Sequence, residues 1–381
     1  MNFEPSEEDT GYLASLRGFA TRHLAPYYQR DDRARRMRPQ VRRQLADVGV
    51  LGLRVPAEHG GQGAGALTTG LAIEVVAAAD FNAAYLALLA ALCAEIISGA
   101  GAGEVYGDWL HDIATGAVTV CLALTEPDHG SDAAAIEVQA VRRGDHYVLR
   151  GEKTSVSLGA QAERAVVLAR TGGPGAGGVS AFYVDLDQPG VTRAPFEDLG
   201  SHAIGRAALT FDDLAVPACR RIGAEGQGFT GVMRGFDYSR ALIGLMCVAA
   251  AQRSLDEAVE WARQRSAFGQ PIGRFEGVAF PLVEQATLLH AARLLCLEAL
   301  WRKDAGLDPA MEANMAKWWA PAVAVQAAHQ ALLTFGHAGY SEELPLAQRL
   351  RDLIGLEIGD GTAQIAKLVV ARHLLGRDGA P

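Results

Sequence analysis

Five short runs, VTVCLALT (118–125), HYVLRGEKTSVS (146–157), ERAVVLAR (163–170), SAFYVDL (180–186) and AALTFDDLAVP (207–217), are rich in β-branched and aromatic residues and separated by turn formers. Such runs read as strands. On their N-terminal side apolar residues recur at three and four positions (Tyr12, Leu13, Leu16, Phe19, Leu24), and Ala-rich stretches dominate 67–100, the pattern of amphipathic and buried helices. After Gly228 the helical period returns, with long helices predicted near 231–264, 281–305 and 311–335 and two shorter ones behind them. A parallel α/β fold would alternate strand and helix throughout. The order here is helices, strands, helices, so we expect an α+β chain with an N-terminal helical domain (1–116), a middle β-barrel-like domain (117–222) and a C-terminal helical bundle (223–381).

Composition narrows the function. The 381 residues carry a formal charge of −9, which gives no basic footprint for nucleic acid. The one basic cluster, 30–43, reads as a solvated surface helix because Asp31 and Asp32 sit among its arginines. Five scattered cysteines (Cys93, Cys121, Cys219, Cys247, Cys296) form no metal-ligand spacing and favour a reducing compartment, with the cytoplasm as the expected location and no metal expected. The N-terminus lacks the basic start and apolar run of a signal peptide. The apolar stretch 83–97 falls short of the roughly 20 residues that cross a bilayer, so no membrane span is expected.

Chemistry concentrates in two loops. Leu124, Thr125, Glu126, Pro127, Asp128, His129, Gly130, Ser131 and Asp132 leave a strand and offer hydroxyls, glycine and backbone donors, a set that suits the polar edge of a ring as well as an ordinary capped turn. The second loop is Ile358, Gly359, Asp360, Gly361, Thr362. Outside these loops another acidic group, Asp80, interrupts the apolar run VVAAADFNAAYLALLAAL (75–92), where a buried carboxylate must be paired or functional; capping of a helix starting near Phe81 is the alternative.

The stretch 124–132 resembles the LTEPxxGSD signature of the acyl-CoA dehydrogenases. PAEHGGQG (56–63), the GEK strand from Gly151, RxxFGxPI (265–272) and GDGT (359–362) accompany it in that family's order. The resemblance spans nearly the whole chain and implies a C-terminal four-helix bundle, FAD as cofactor and an acyl-CoA thioester as substrate. It further implies an electron-transfer flavoprotein as acceptor and a homo-oligomer, a tetramer by analogy. It assigns flavin contacts to Leu122, Leu124, Thr125, Gly130, Ser131, Ser155, Val156, Ser157, Phe275, Gly336, Thr362 and Gln364. Arg265 and Phe268 would reach a neighbouring subunit's FAD. Ser131, Phe236, Asp237, Arg240 and Gly361 would meet the substrate, and Asp237 and Arg240 can also pair locally on a helix.

By the same resemblance Asp360 is the base that removes the acidic proton beside the thioester carbonyl, its own backbone N–H helping to hold the enolate oxygen, while hydride leaves for the flavin. Asp360 stands where the family usually has Glu, and the family's second base position is Ser239. Ser155 and Gly359 replace a Trp and a Tyr that usually crowd the site, which points to a branched or cyclic acyl group such as cyclohexanecarboxyl, with Asp80 as a second acid or base. Leu333, His337 and Glu276 also depart from the usual FAD contacts. An acyl-carrier-protein thioester dehydrogenase, a nitroalkane-oxidase-like flavoenzyme and a non-catalytic CoA-binding protein are the alternatives.

Overall fold

The computed structural model describes residues 1–101, 105–376 and 378–381. Six helices open the chain: α1 (Glu7–His23), α2 (Tyr28–Arg33), α3 (Gln40–Asp47), α4 (Ala66–Ala79), α5 (Phe81–Ser98) and α6 (Tyr106–Ala114). Ser6 caps α1 through Asp9 N, and three acidic residues in its first turn complement the helix dipole. Between α4 and α5 the chain turns on one residue: Asp80 is extended and closes the first helix while opening the second. Helix α5 is apolar on every side because it is the central helix of the fold. It passes the length and hydropathy requirements for a membrane helix, which the sequence reading had denied it, yet 89% of it is buried inside the protein.

The middle region is one eight-stranded sheet made of β1 (Val120–Ala123), β2 (Gln139–Arg143), β3 (His146–Val156), β4 (Arg164–Arg170), β5 (Val179–Asp185), β6 (Val191–Pro195), β7 (Ala207–Pro217) and β8 (Arg221–Ile222). Its path is β6-β7-β3-β2-β4-β5-β8, with β1 joined to β4. The antiparallel run β6-β7-β3-β2 meets the antiparallel run β4-β5-β8 at a single parallel register pair, Gln139 with Arg170, and β1 runs parallel to β4. Strands β4 and β5 are buried on both faces, which explains their unbroken apolar runs.

The rest is helical: α7 (Gly228–Gln264), a small hairpin of β9 (Ser266–Ala267) and β10 (Gln270–Pro271), α8 (Glu276–Asp304), α9 (Ala310–Phe335), the single turn α10 (His337–Tyr340), α11 (Leu346–Ile358) and α12 (Ala363–Leu375). Helices α7, α8, α9 and α11 pack together as the bundle, and α4 and α5 lie against α7, so the first and last regions share one core. Close approach is enforced by glycines: a Cβ at Gly244 would meet Cys296 Sγ at 2.4 Å, and one at Gly235 would meet Ile96 Cγ1 at 2.9 Å. Helix α8 begins five residues before Pro281, where the sequence reading placed its start. Near a helix start a missing N–H costs little.

The basic stretch 30–43 is not one surface helix. It spans α2, a turn and α3; Asp31 and Asp32 are buried, Arg38 pairs with Asp31 at 3.0 Å, and Arg42 pairs with Glu163 of the middle region at 2.6 Å. Arg42 ties the helical region to the sheet, while Arg38 braces α2 from within the helical region.

Candidate active site

The loop after α11 is held from three directions. Asp352, fully buried on α11, accepts from the Tyr28 hydroxyl at 2.6 Å and from the Ser201 amide. Arg349 forks onto Glu257 of α7 at 2.6 and 3.1 Å, fixing the helix axis. At the loop itself the buried Lys317 of α9 donates to Leu356 O at 2.9 Å and to Gly361 O at 2.8 Å, bridging the helix end and the turn beyond it. An ammonium satisfies the open carbonyls of a helix C-terminus well. Lys317 went unnoticed in the sequence; its signal was a lone cation in the Ala-rich run EANMAKWWAPAVA.

Asp360 occupies the left-handed region at φ 56°, a strained position for a residue with a side chain, followed by Gly361 at φ 101° and by Thr362, which caps α12 through Ile365 N. Its Oδ2 is sealed from solvent without a hydrogen-bond partner. Burial pushes the carboxyl above its ordinary value, opposed by the nearby charges of Lys317 and Arg240. No protein acceptor engages the backbone N–H groups of Asp360, Gly361 and Thr362 among the described residues. A raised carboxylate beside uncommitted amide donors can remove a proton and hold the oxyanion that results.

Arg240 is buried on α7 with its Nη1 3.3 Å from Asp237, the local pair that the spacing allowed, and it lies over the Phe236 ring at 5.5 Å. Its Nη2 comes within 3.7 Å of where a Cβ on Gly361 would stand, so α7 and the catalytic loop share one wall. Ser239 is fully buried with its hydroxyl unpartnered.

The sheet supplies the opposite wall. Lys153, with 0% exposure, donates from β3 to Leu124 O at 2.8 Å and Glu126 Oε1 at 2.7 Å, and Glu126 in turn accepts from the amides of Glu137 and Val138. This buried pair sets the path of the loop 124–132; burial lowers the ammonium to about 8, partly offset by Glu126. With that loop fixed, Leu124 packs inward, Leu122 and Thr125 are half-buried, and Gly130 and Ser131 lie exposed. On β3 a register shift between Lys153 and Val156 turns Ser155 outward at φ 56°, buries Val156 and leaves Ser157 half-buried. The hydroxyls of Thr125, Ser131 and Ser155 have no protein partner among the described residues, a donor set that fits a polar cofactor edge.

Tyr85 joins the two walls. It reaches from α5 to Ser157, whose Oγ lies 3.2 Å from its hydroxyl, and the charge of Asp360 helps raise its phenol further above the ordinary value, after burial. Sequence reading missed it, one tyrosine within an apolar helix.

Other candidates lie apart. Arg265 ends α7 on the surface, and Phe268 is 96% exposed in the left-handed region at the tip of the β9–β10 hairpin, with Phe275 edge-on at 6.1 Å. Gly336, at φ 62°, ends α9, and Gln364 is exposed in the first turn of α12. Asp80 is not in the Asp360 cluster. Its Oδ1 accepts from Asn82 N at 2.9 Å and Ala83 N at 3.0 Å, capping α5, and its charged neighbours are Asp31 and Arg38. The second-acid reading of Asp80 therefore gives way to the capping one. Burial raises this carboxyl to about 6.

That shift has a definite sign. An acid whose folded pKa lies above its unfolded value favours the fold while protonated, an advantage complete below about 3.8 and lost as pH rises through about 6. Asn caps a helix as well as Asp does. Asp80→Asn should therefore leave flavin reduction unchanged and, above pH 6, make the protein more stable than the parent by on the order of 2 kcal/mol. Thermal melts between pH 5 and 8 check this; a large loss of turnover would restore a chemical role to Asp80.

Among the described residues no group of three or more His, Cys, Asp or Glu is arranged to hold a metal. The acyl-CoA dehydrogenase N-terminal, middle and C-terminal domain profiles match residues 6–117, 121–214 and 226–375. The chain is 33% identical over 380 residues to a probable acyl-CoA dehydrogenase, YngJ, of Bacillus subtilis, covering 98% of this chain and 100% of that protein. Its structure is similar to that of butyryl-CoA dehydrogenase from Megasphaera elsdenii, with a TM-score of 0.95 at 30% identity, covering 98% of this chain and 100% of that one. A structure of PigA with FAD and proline also matches at TM-score 0.95 and 27% identity, covering 99% and 100%. On its motifs, fold and these matches, the chain belongs to the acyl-CoA dehydrogenase family, FAD-dependent oxidoreductases that act on CH–CH bonds.

Proposed function

We propose that this protein oxidises a compact acyl-CoA, branched or cyclic in preference to long and straight, to its 2-enoyl thioester, with Asp360 as the base. The observation that carries this reading is the unpartnered Oδ2 of Asp360 beside three uncommitted amides on a loop clamped by Lys317. The Asp360 carboxylate takes the proton next to the thioester carbonyl, while the free amides stabilise the charge developing on the carbonyl oxygen. Leu122, Leu124, Thr125, Gly130, Ser131, Ser155, Val156, Ser157, Phe275, Gly336, Thr362 and Gln364 would hold the flavin, which when bound would supply the acceptor for the hydride. Phe236, Asp237 and Arg240 face the thioester tail, together with Ser131 and Gly361.

Gly359 and Ser155 present no bulk where the acyl group and flavin meet, which supports branching or a ring near the carbonyl. An electron-transfer flavoprotein is the proposed acceptor. Exposed Phe268, Phe280 (57%), Val283 (62%) and Leu374 (66%) support a homo-oligomer, a tetramer in our reading, in which Arg265 and Phe268 complete a neighbour's cofactor site. The five free cysteines support a reducing compartment, which we take to be the cytoplasm.

The experiment is a rate comparison. Flavin bleaching under anaerobic conditions should be faster with isobutyryl-CoA and cyclohexanecarboxyl-CoA than with octanoyl-CoA. The reverse order would refute the proposed selectivity. Rapid peroxide release from nitroalkanes, with no bleaching by thioesters, would move the protein to another chemistry.

A further inference from the structure

Two cations of the helical bundle act on the Asp360 carboxylate, Arg240 from α7 and Lys317 from α9. They are not equivalent. Arg240 is already paired with Asp237 at 3.3 Å, so its charge is divided between two carboxylates. Lys317 is 1% exposed, and among the described residues both acceptors of its Nζ are neutral carbonyls, Leu356 O at 2.9 Å and Gly361 O at 2.8 Å. Those carbonyls lie on either side of Asp360 in the chain. Holding them leaves one N–H of the ammonium, and its whole charge, without a hydrogen-bonded partner. The charge is felt nearby: of the charged groups around each residue, Lys317 acts most strongly on Asp360 and Asp360 most strongly on Lys317.

We propose that Lys317 is a positioning residue of the reaction through its charge as well as its hydrogen bonds: it fixes the backbone on both sides of Asp360 and is the cation that keeps this buried carboxylate ionised and able to accept the proton. This rests on Asp360 being the base, as in the proposed function. A carboxylate sealed from water reverts to its acid unless a positive charge is at hand. Besides Asp360, the groups facing Lys317 are Cys247 and Arg240 of α7 and Glu357 of α11; besides Lys317, those facing Asp360 are Arg240 and Tyr85 of α5. Among them only Lys317 brings a positive charge that no hydrogen bond commits to another carboxylate. In the proton transfer itself Lys317 gains and loses nothing: the substrate proton goes to Asp360, and the negative charge passes to the thioester oxygen. With the Lys317 charge removed, burial is less opposed, so Asp360 becomes ionised only at higher pH.

The test is the pH dependence of flavin reduction by saturating isobutyryl-CoA in the FAD-loaded enzyme, followed by anaerobic stopped flow, with flavin content measured for every variant. Lys317→Met removes the charge and the donors; Lys317→Gln removes the charge and keeps an amide donor, and serves alone if the Met variant does not fold. Each is expected to move the rising limb of the profile to higher pH by about one unit or more, a tenfold or greater loss of rate on that limb. A purely mechanical clamp would lower the rate by one factor at every pH and leave the midpoint in place, and that result in either flavin-containing variant overturns the proposal. Asp360→Asn separates the two readings. If it keeps the parent's rate and limb, the base assignment fails and Lys317 falls with it; if it loses the limb while the Lys317 variants leave theirs unmoved, only the role of the Lys317 charge is refuted.

Discussion

Asp360→Asn is expected to slow flavin reduction by a saturating acyl-CoA by about a hundred- to ten-thousand-fold, the usual contribution of a positioned general base. The substitution changes little else. Asn has nearly the same shape, the loop remains clamped by Lys317 at Leu356 and Gly361, and the amides that face the thioester oxygen belong to the backbone. FAD content and thermal stability should therefore stay close to those of the parent. The pH dependence follows from the carboxyl's environment. Because burial holds Asp360 above the ordinary carboxylate value, the reduction rate in the parent should climb with pH through a point displaced to the alkaline side of that value, as the base loses its proton. In the Asn variant that limb should vanish. Stopped-flow absorbance across pH settles both, and a variant within tenfold of the parent would remove Asp360 from the role.

Lys153→Met should destabilise the protein by about 3–5 kcal/mol, because deleting one member of a buried ion pair leaves the other charge unbalanced. Lys153 is wholly enclosed, and Glu126, its partner at 2.7 Å, is itself nearly so. Glu126 would retain the Glu137 and Val138 amides but lose its counter-ion, and Leu124 O would lose its donor. The damage falls on the loop that carries Thr125, Gly130 and Ser131. Urea unfolding should show the loss in stability, and the purified variant should carry less FAD. A variant with unchanged midpoint and full flavin would show that the pair is dispensable. Restoring charge alone with Lys153→Arg would not rescue it, since a larger planar group has no room there.

Motifs read well in this sequence where the backbone does the chemistry. The loops 124–132 and 358–362 need glycine, hydroxyls and a carboxylate at fixed offsets, and that need is visible in one dimension. The capping alternative for Asp80 was legible for the same reason: a lone acid before an apolar helix is a local signal, and the structure shows the two amides it serves. What could not be read is what depends on distant packing. Lys317 meets Gly361 across 44 residues and Tyr85 meets Ser157 across 72, and nothing in either helix's own sequence says which way those side chains point. The surface-helix reading of 30–43 failed similarly, since the partner of Arg42 is Glu163, 121 residues away.

The most direct test of the central claim is an anaerobic titration of the FAD-loaded protein with isobutyryl-CoA, following the flavin band and analysing the thioester afterwards. The account predicts bleaching that is fast in the parent and nearly absent in Asp360→Asn, with one 2-enoyl thioester formed for each flavin reduced. A flavin that stays oxidised with every acyl-CoA offered, or one reduced equally fast in both proteins, would contradict it.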